Sequence, residues 1–237
     1  MMNSNDLRMV AEALAMQESW QVGKVLDRKY ELTRPLSSKP VANSYLATEL
    51  ETGDSVVLRR CPPGAERGSL EREWEALEAC KGDCVQEALS LYPATGFLSL
   101  TFYPNATPLI DLTPEQVDAF PILLPKILKA LSHCHKAGWI HGDIKPSNVL
   151  WDHDSNSIRL IDFGAAMPIG LSRKNLASWH MSTGFSPESQ SSGEGAAHPS
   201  DDWFALIRWI RQLDNIDVSE TSRHNLDRTL AWLSTQM

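Results

Sequence analysis

No apolar run in this chain approaches the length needed to cross a bilayer; the best stretch, Phe120 to Leu128, is interrupted by Pro121 and Pro125. The first residues carry Asp6, Arg8 and Glu12, which argues against a secretory leader. The four cysteines, Cys61, Cys80, Cys84 and Cys134, show no zinc-like pairing, since Cys80 and Cys84 have neither a partner pair nor nearby histidines. Reduced, partly buried thiols are expected. No basic run occurs, and a net charge of −8 argues against a nucleic-acid partner. Internal repeats and low-complexity tracts are also missing. What remains is a chain of 237 residues, 42% hydrophobic, able to bury a good core and expected to be soluble and cytoplasmic.

What the chain does contain is one dense group of chemically capable residues. His141 to Leu150 reads HGDIKPSNVL, and the strand-like run Ile158 to Ile161 leads into Asp162-Phe163-Gly164. Transfer of a phosphoryl group needs an oriented hydroxyl, metal-neutralised phosphates and partners held in line, with little covalent work left for the protein. Asp143 would accept or orient the hydroxyl proton. Lys145 would reach the γ-phosphate, Asn148 would offer a neutral oxygen to Mg²⁺, and Asp162 would supply an anionic oxygen to the same metal. Taken singly, each residue has a plainer reading as a turn former, a strand-end cap or a solvated lysine. In the fixed order H-x-D-x-K-x-x-N, an apolar run, then D-F-G, chance is a poor explanation.

With these motifs the chain resembles a serine/threonine protein kinase of the bacterial, eukaryotic-like type. The resemblance extends outward from about Tyr30 to Arg211. Tyr30 to Leu36 resembles the opening strand, Ser44 to Ala47 the second, Ser55 to Arg60 the third, and Phe97 to Tyr103 the fifth, leading to a hinge at Pro104-Asn105. Glu73, in the helical pattern Leu70, Trp74, Leu77, falls where the family carries the glutamate that pairs with a strand lysine. Ser186-Pro187-Glu188 stands where the family has Ala-Pro-Glu, and Asp202 to Leu206 resembles the helix whose aspartate ties back to the catalytic-loop backbone.

The departures from the family matter as much. The glycine positions of the phosphate-covering loop fall on Ser37, Lys39 and Ala42, and Pro40 removes one N–H from that loop. Were positive φ required there, each Cβ would cost on the order of 1–2 kcal/mol. The strand lysine aligns with Arg59, which keeps the charge but not the compact ammonium. Lys39 is the candidate substitute cation, with a solvated loop lysine as its plainer reading. Gly142 replaces the arginine that would receive an activation-segment phosphate, which argues against that form of control. Ser182 and Thr183 are the candidate phosphosites, while Ser172 and Ser178 read as turn formers.

The expected fold is α+β and bilobal, a small antiparallel-sheet N-lobe over about 29–103 and a reduced, mainly helical C-lobe over about 106–215. A helical extension is expected at 1–28, from Leu7, Val10 and Leu14, and a C-terminal helix packed on the C-lobe at 216–237, from Leu226, Leu230 and Leu233. Thr113-Pro114-Glu115 reads as a helix start continuing through Ile127, Leu131 and Cys134; Ser189 to Ser200 reads as a flexible loop. Trp203, Phe204, Trp209 and Ile210 read as core. The resemblance implies ATP and Mg²⁺ as cofactors and a protein substrate or regulatory partner. It places Asp143 and Lys145 in catalysis, Asn148 and Asp162 on metal and nucleotide, and Arg59, Glu73 and Lys39 on nucleotide. The alternatives are a pseudokinase acting as a binding module, and a small-molecule kinase of the aminoglycoside or choline type, against which Lys145-Pro146, Phe163-Gly164 and Ser186-Pro187-Glu188 stand.

Overall fold

The computed structural model describes residues 20–37, 42–61, 68–176, 182, 184–213 and 218–237, without the side chains of residues 114, 115, 117, 189 and 191. The chain divides into two compact units. One extends to Trp74 and takes in Glu87–Tyr103; the other comprises Glu75–Gln86 and Pro104–Met237.

The first unit is built on an antiparallel sheet of strands β1 (Val25–Leu26), β2 (Tyr30–Pro35), β3 (Ser44–Glu49), β4 (Ser55–Arg60), β5 (Ala88–Tyr92) and β6 (Phe97–Thr101), in the order β1-β2-β3-β4-β6-β5. Tyr30 and Leu32 of β2, and Tyr45 and Ala47 of β3, alternate inward as the pleat requires. Val56, Val57 and Leu58 are all buried, because β4 lies inside the sheet between β3 and β6; this is why its sequence does not alternate. The core gathers Trp20, Tyr30, Leu32, Tyr45, Leu58 and Phe97. Trp20 meets Tyr45 and Phe97 edge-on at 5.5 and 6.0 Å, the arrangement that ring quadrupoles favour. Helix α1 (Ser69–Ala79) buries Leu70, Glu73 and Leu77 along one stripe.

In the second unit, helix α2 (Phe120–Lys136) buries Leu123, Leu124, Ile127, Leu131 and Cys134. The α-helix begins later than Thr113-Pro114-Glu115 suggests: Pro114–Ala119 forms a 3₁₀ turn, and Pro121 sits in the first α-helical turn, where its missing N–H leaves no bond unmade. Strands β7 (Ala106–Pro108), β9 (Val149–Asp152) and β10 (Ser157–Leu160) pair in the order β10-β9-β7, and β8 (Trp139–Ile140) pairs with β11 (Met167–Pro168). The serine-rich run expected as a loop is partly helical: α3 (Glu188–Ser192) ends on Gly193 in the left-handed region, and α4 (Pro199–Gln212) begins soon after. Trp203, Trp209 and Ile210 of α4 are core residues, and Phe120 packs on Trp209 at 4.7 Å. Helix α5 (Glu220–Ser234) buries Leu226 and Leu233. The fold is α+β, a curled antiparallel sheet unit and a mainly helical one, as expected from the sequence. Among the described residues no helix is long and apolar enough to cross a membrane. The expected helix around Asn5 to Glu18 lies outside the described residues.

Candidate active site

The segment from His141 to Asn148 is a loop between β8 and β9, and its shape is set by side chains from elsewhere in the second unit. Asp202, near the start of α4 and fully buried, accepts hydrogen bonds from the backbone N–H of His141 at 2.9 Å and of Gly142 at 2.8 Å, and contacts His135 Nε2 at 2.8 Å. Burial by itself would push this carboxyl up. The hydrogen bonds it accepts, from His135 and from the loop backbone, outweigh burial and hold it below the usual carboxylate range.

Gly142 takes φ +78°, and a Cβ built there would lie 2.3 Å from the Ala165 carbonyl oxygen. Its own carbonyl accepts from Gln190 Nε2 of α3 at 2.9 Å. The residue is therefore fixed at its N–H, at its carbonyl and across its α-carbon. An arginine has no room at this position, which gives the missing family arginine a steric reason.

His141 is buried beside Phe163, ring centroids 4.7 Å apart. Its Nδ1 accepts from the Asp143 N–H at 3.3 Å, so Nε2 carries the hydrogen toward the Ile161 carbonyl at 3.0 Å. The Ile161 N–H in turn donates to the Asn148 carbonyl at 3.0 Å. Two bonds thus tie the residue before Asp162 to both ends of the loop that carries Asp143 and Asn148. Asp162 is half-buried, with φ +63° and ψ +69°, a left-handed conformation uncommon outside glycine. Held strain of this kind concentrates at sites with a job to do.

Asp143 Oδ2 receives Lys145 Nζ at 2.5 Å and Asn148 Nδ2 at 3.1 Å; Asn148 Nδ2 also reaches the Asp143 carbonyl at 2.9 Å. Asp143 Oδ1 is buried and accepts no hydrogen bond among the described residues. With its nitrogen turned to Asp143, Asn148 has its amide oxygen on the other side, where it accepts a long hydrogen bond of 3.3 Å from Ser147 Oγ. Lys145 Nζ also donates to Ser182 Oγ at 2.8 Å.

Of the residues singled out in the sequence, Asp143, Lys145, Asn148 and Asp162 fall in the second unit; the first three are joined by these bonds, and Asp162 follows Ile161, whose backbone is tied to His141 and Asn148. Arg59 and Glu73 belong to the first unit and meet each other: Arg59 Nε lies 3.0 Å from the Glu73 carboxylate and Nη1 3.3 Å from Ser44 Oγ. Lys39 lies outside the described residues. Ser37 is exposed, and Ala42 is buried in the sheet core. An oxygen pair such as Asn148 and Asp162 suits Mg²⁺, which takes one or two protein oxygens and fills the rest of its octahedron with phosphate and water. Among the described residues no cluster of three or more His, Cys, Asp or Glu is placed to hold a metal, and a magnesium site of this kind needs none.

A family model described as the protein kinase domain matches residues 44–210. The chain belongs to the protein kinase family, and both the HGDIKPSNVL and the Asp162-Phe163-Gly164 motifs lie within the matched span.

Sequence reasoning did not find Gln190 or the buried Arg173–Asp201 ion pair, 2.5 Å between Nη2 and Oδ2. Neither carries a motif: Gln190 sits in a serine-rich run, and Arg173 reads as a surface charge until the fold closes over it.

Proposed function

We propose that this kinase domain transfers the γ-phosphoryl group of ATP, in the presence of Mg²⁺, to a serine or threonine hydroxyl of a protein substrate. The observation that carries the reading is the asymmetry of the Asp143 carboxylate: Oδ2 is held by Lys145 and Asn148, while Oδ1 is buried and, among the described residues, accepts no hydrogen bond. A buried acceptor left open is costly unless something donates to it, and a substrate hydroxyl is a donor of the right kind. Lys145 is assigned to the migrating γ-phosphoryl charge, and Asn148 and Asp162 to the metal, which when bound neutralises charge on the phosphates. Arg59, oriented by Glu73 and Ser44, is assigned to the α- and β-phosphates, with Lys39 as the alternative cation.

Incubation with labelled ATP and Mg²⁺ beside an Asp162→Ala control tests this: label appears on protein and vanishes in the variant. Nucleotide with metal raises the melting temperature by mass action, and no shift at millimolar ATP would remove the catalytic assignment. Comparing nucleotide affinity in Arg59→Ala and Lys39→Ala decides which cation serves the phosphates. A second reading, a kinase fold that signals by binding without turnover, draws on Arg59 in place of lysine and on the Cβ-bearing residues Ser37 and Ala42. Nucleotide binding with no label transferred would favour it.

A further inference from the structure

Gly142 puts a residue without a side chain immediately before Asp143, the carboxylate assigned to the acceptor hydroxyl. Glycine restrains its own dihedrals little, so the peptide leading into Asp143 has to be fixed from outside. Both polar groups of that peptide are held. The Asp143 N–H donates to His141 Nδ1 at 3.3 Å, a long and local bond, and the Gly142 carbonyl accepts from Gln190 Nε2 at 2.9 Å. Gln190 lies 48 positions along the chain, is 4% exposed, and stands in the short helix α3 with its own N–H on the Pro187 carbonyl at 3.0 Å. The plainer reading is a buried amide that has found an acceptor. The acceptor it has found, however, belongs to a peptide whose rotation swings the Asp143 side chain.

We infer that Gln190 is a positioning residue for phosphoryl transfer: its side-chain N–H, acting through the Gly142 carbonyl, sets the direction of the Asp143 carboxylate. The inference rests on the phosphoryl-transfer reading given above. A neutral donor suits the place. A cation there would compete with Lys145 for the Asp143 carboxylate, and an anion would face the carbonyl oxygen. Without the donor, a buried carbonyl loses its partner, and the glycine peptide is held at its N–H by the long bond to His141 alone. The residues assigned to the phosphates and the metal keep their own contacts, so the loss falls on turnover and not on nucleotide binding.

The test compares the full-length parent with Gln190→Met, which keeps the length of the side chain and removes the donor, and with Gln190→Glu, which donates only when protonated. Steady-state kinetics with MgATP and a protein substrate are followed across the acid pH range, per folded molecule as counted by calorimetry. The expected result is a kcat lowered by about tenfold or more in the methionine variant, with the KM for ATP within twofold of the parent. The ratio of the glutamate to the methionine variant rises as the pH falls, because burial and the facing carbonyl keep that carboxyl protonated to higher pH than usual. The titratable groups around this bond, His141, Asp143 and Lys145 on the loop and Asp202 on α4, are common to both variants and cancel in the ratio. Should the methionine variant not fold, the ratio of the glutamate variant to the parent carries the same reading. Parent-like kcat without the donor, or a ratio flat with pH, overturns the inference and leaves the kinase reading standing. Absence of phosphoryl transfer by the parent overturns the kinase reading and this inference with it.

Discussion

Gly142→Ala is the smallest change that tests how the catalytic loop is held. The added methyl group meets the Ala165 carbonyl oxygen at 2.3 Å, well inside van der Waals contact, and the obstacle is backbone, not a side chain that can rotate away. Gly142 cannot retreat easily, because Asp202 holds its N–H at 2.8 Å and Gln190 holds its carbonyl at 2.9 Å. The left-handed φ of +78° adds a second penalty, about 1–2 kcal/mol for a residue with a Cβ. Forcing extra volume into a packed site adds about 1–3 kcal/mol. A loss of about 3 kcal/mol in the helical unit lowers the melting temperature by roughly 6–12 °C for a chain of this size. Because Asp143 is the next residue, a displaced loop also misaligns the carboxylate, at a cost of about a hundredfold in turnover. Calorimetry and a steady-state phosphoryl-transfer assay read the two effects. A variant that melts within about 2 °C of the parent and turns over normally would refute the claim that this contact shapes the site.

Asp202→Ala strips the acceptor from two backbone N–H groups and from His135, costing about 1–3 kcal/mol for each donor left unsatisfied; urea unfolding should show a loss well above 2 kcal/mol, and Asp202→Asn a smaller one. The same carboxyl predicts the acid response. Its pKa is lower folded than in the unfolded chain, near about 3.9, so its contribution is complete above that value and is lost as the pH falls through the folded one. Urea midpoints measured down the acid limb should be flatter in Asp202→Asn; identical slopes would contradict the linkage. Arg59→Ala takes the guanidinium from the buried Glu73 carboxylate, at about 3 kcal/mol, whereas replacing both residues by methionine recovers most of the loss; equal destabilisation of single and double variants would count against the pair. Asp143→Asn should cut kcat by at least about a hundredfold with little change in the KM for ATP, and a change confined to KM would take the catalytic role away from Asp143.

The residues proposed for phosphoryl transfer stand out in the sequence because that chemistry demands particular side chains at short, fixed spacings: Asp143, Lys145 and Asn148 share one loop, and Asp162 follows the next strand. The strands were legible from the pleat where one face is buried, as in β2 and β3, and from apolar content alone in β4. Helix α2 kept its predicted apolar stripe but lost its predicted start, since a Thr-Pro-Glu capping pattern also suits a 3₁₀ turn and the two differ by less than neighbouring packing decides. The serines after Glu188 read as loop because isolated propensity favours one; in the fold they carry a short helix whose Gln190 is buried on the catalytic loop.

By itself the chain's order of residues determined the family and the α+β class and marked out the residues proposed for phosphoryl transfer, because catalytic spacing and strand periodicity are local properties. Contacts between distant segments decided the rest. Arg59 meeting Glu73 and Asp202 holding the backbone of His141 and Gly142 were expected from the family resemblance alone, whereas the closed space at Gly142, Gln190 on its carbonyl and Ser182 on Lys145 join residues whose meeting no motif announces. Such pairings exist only once burial has made hydrogen bonds between remote groups preferable to hydrogen bonds with water.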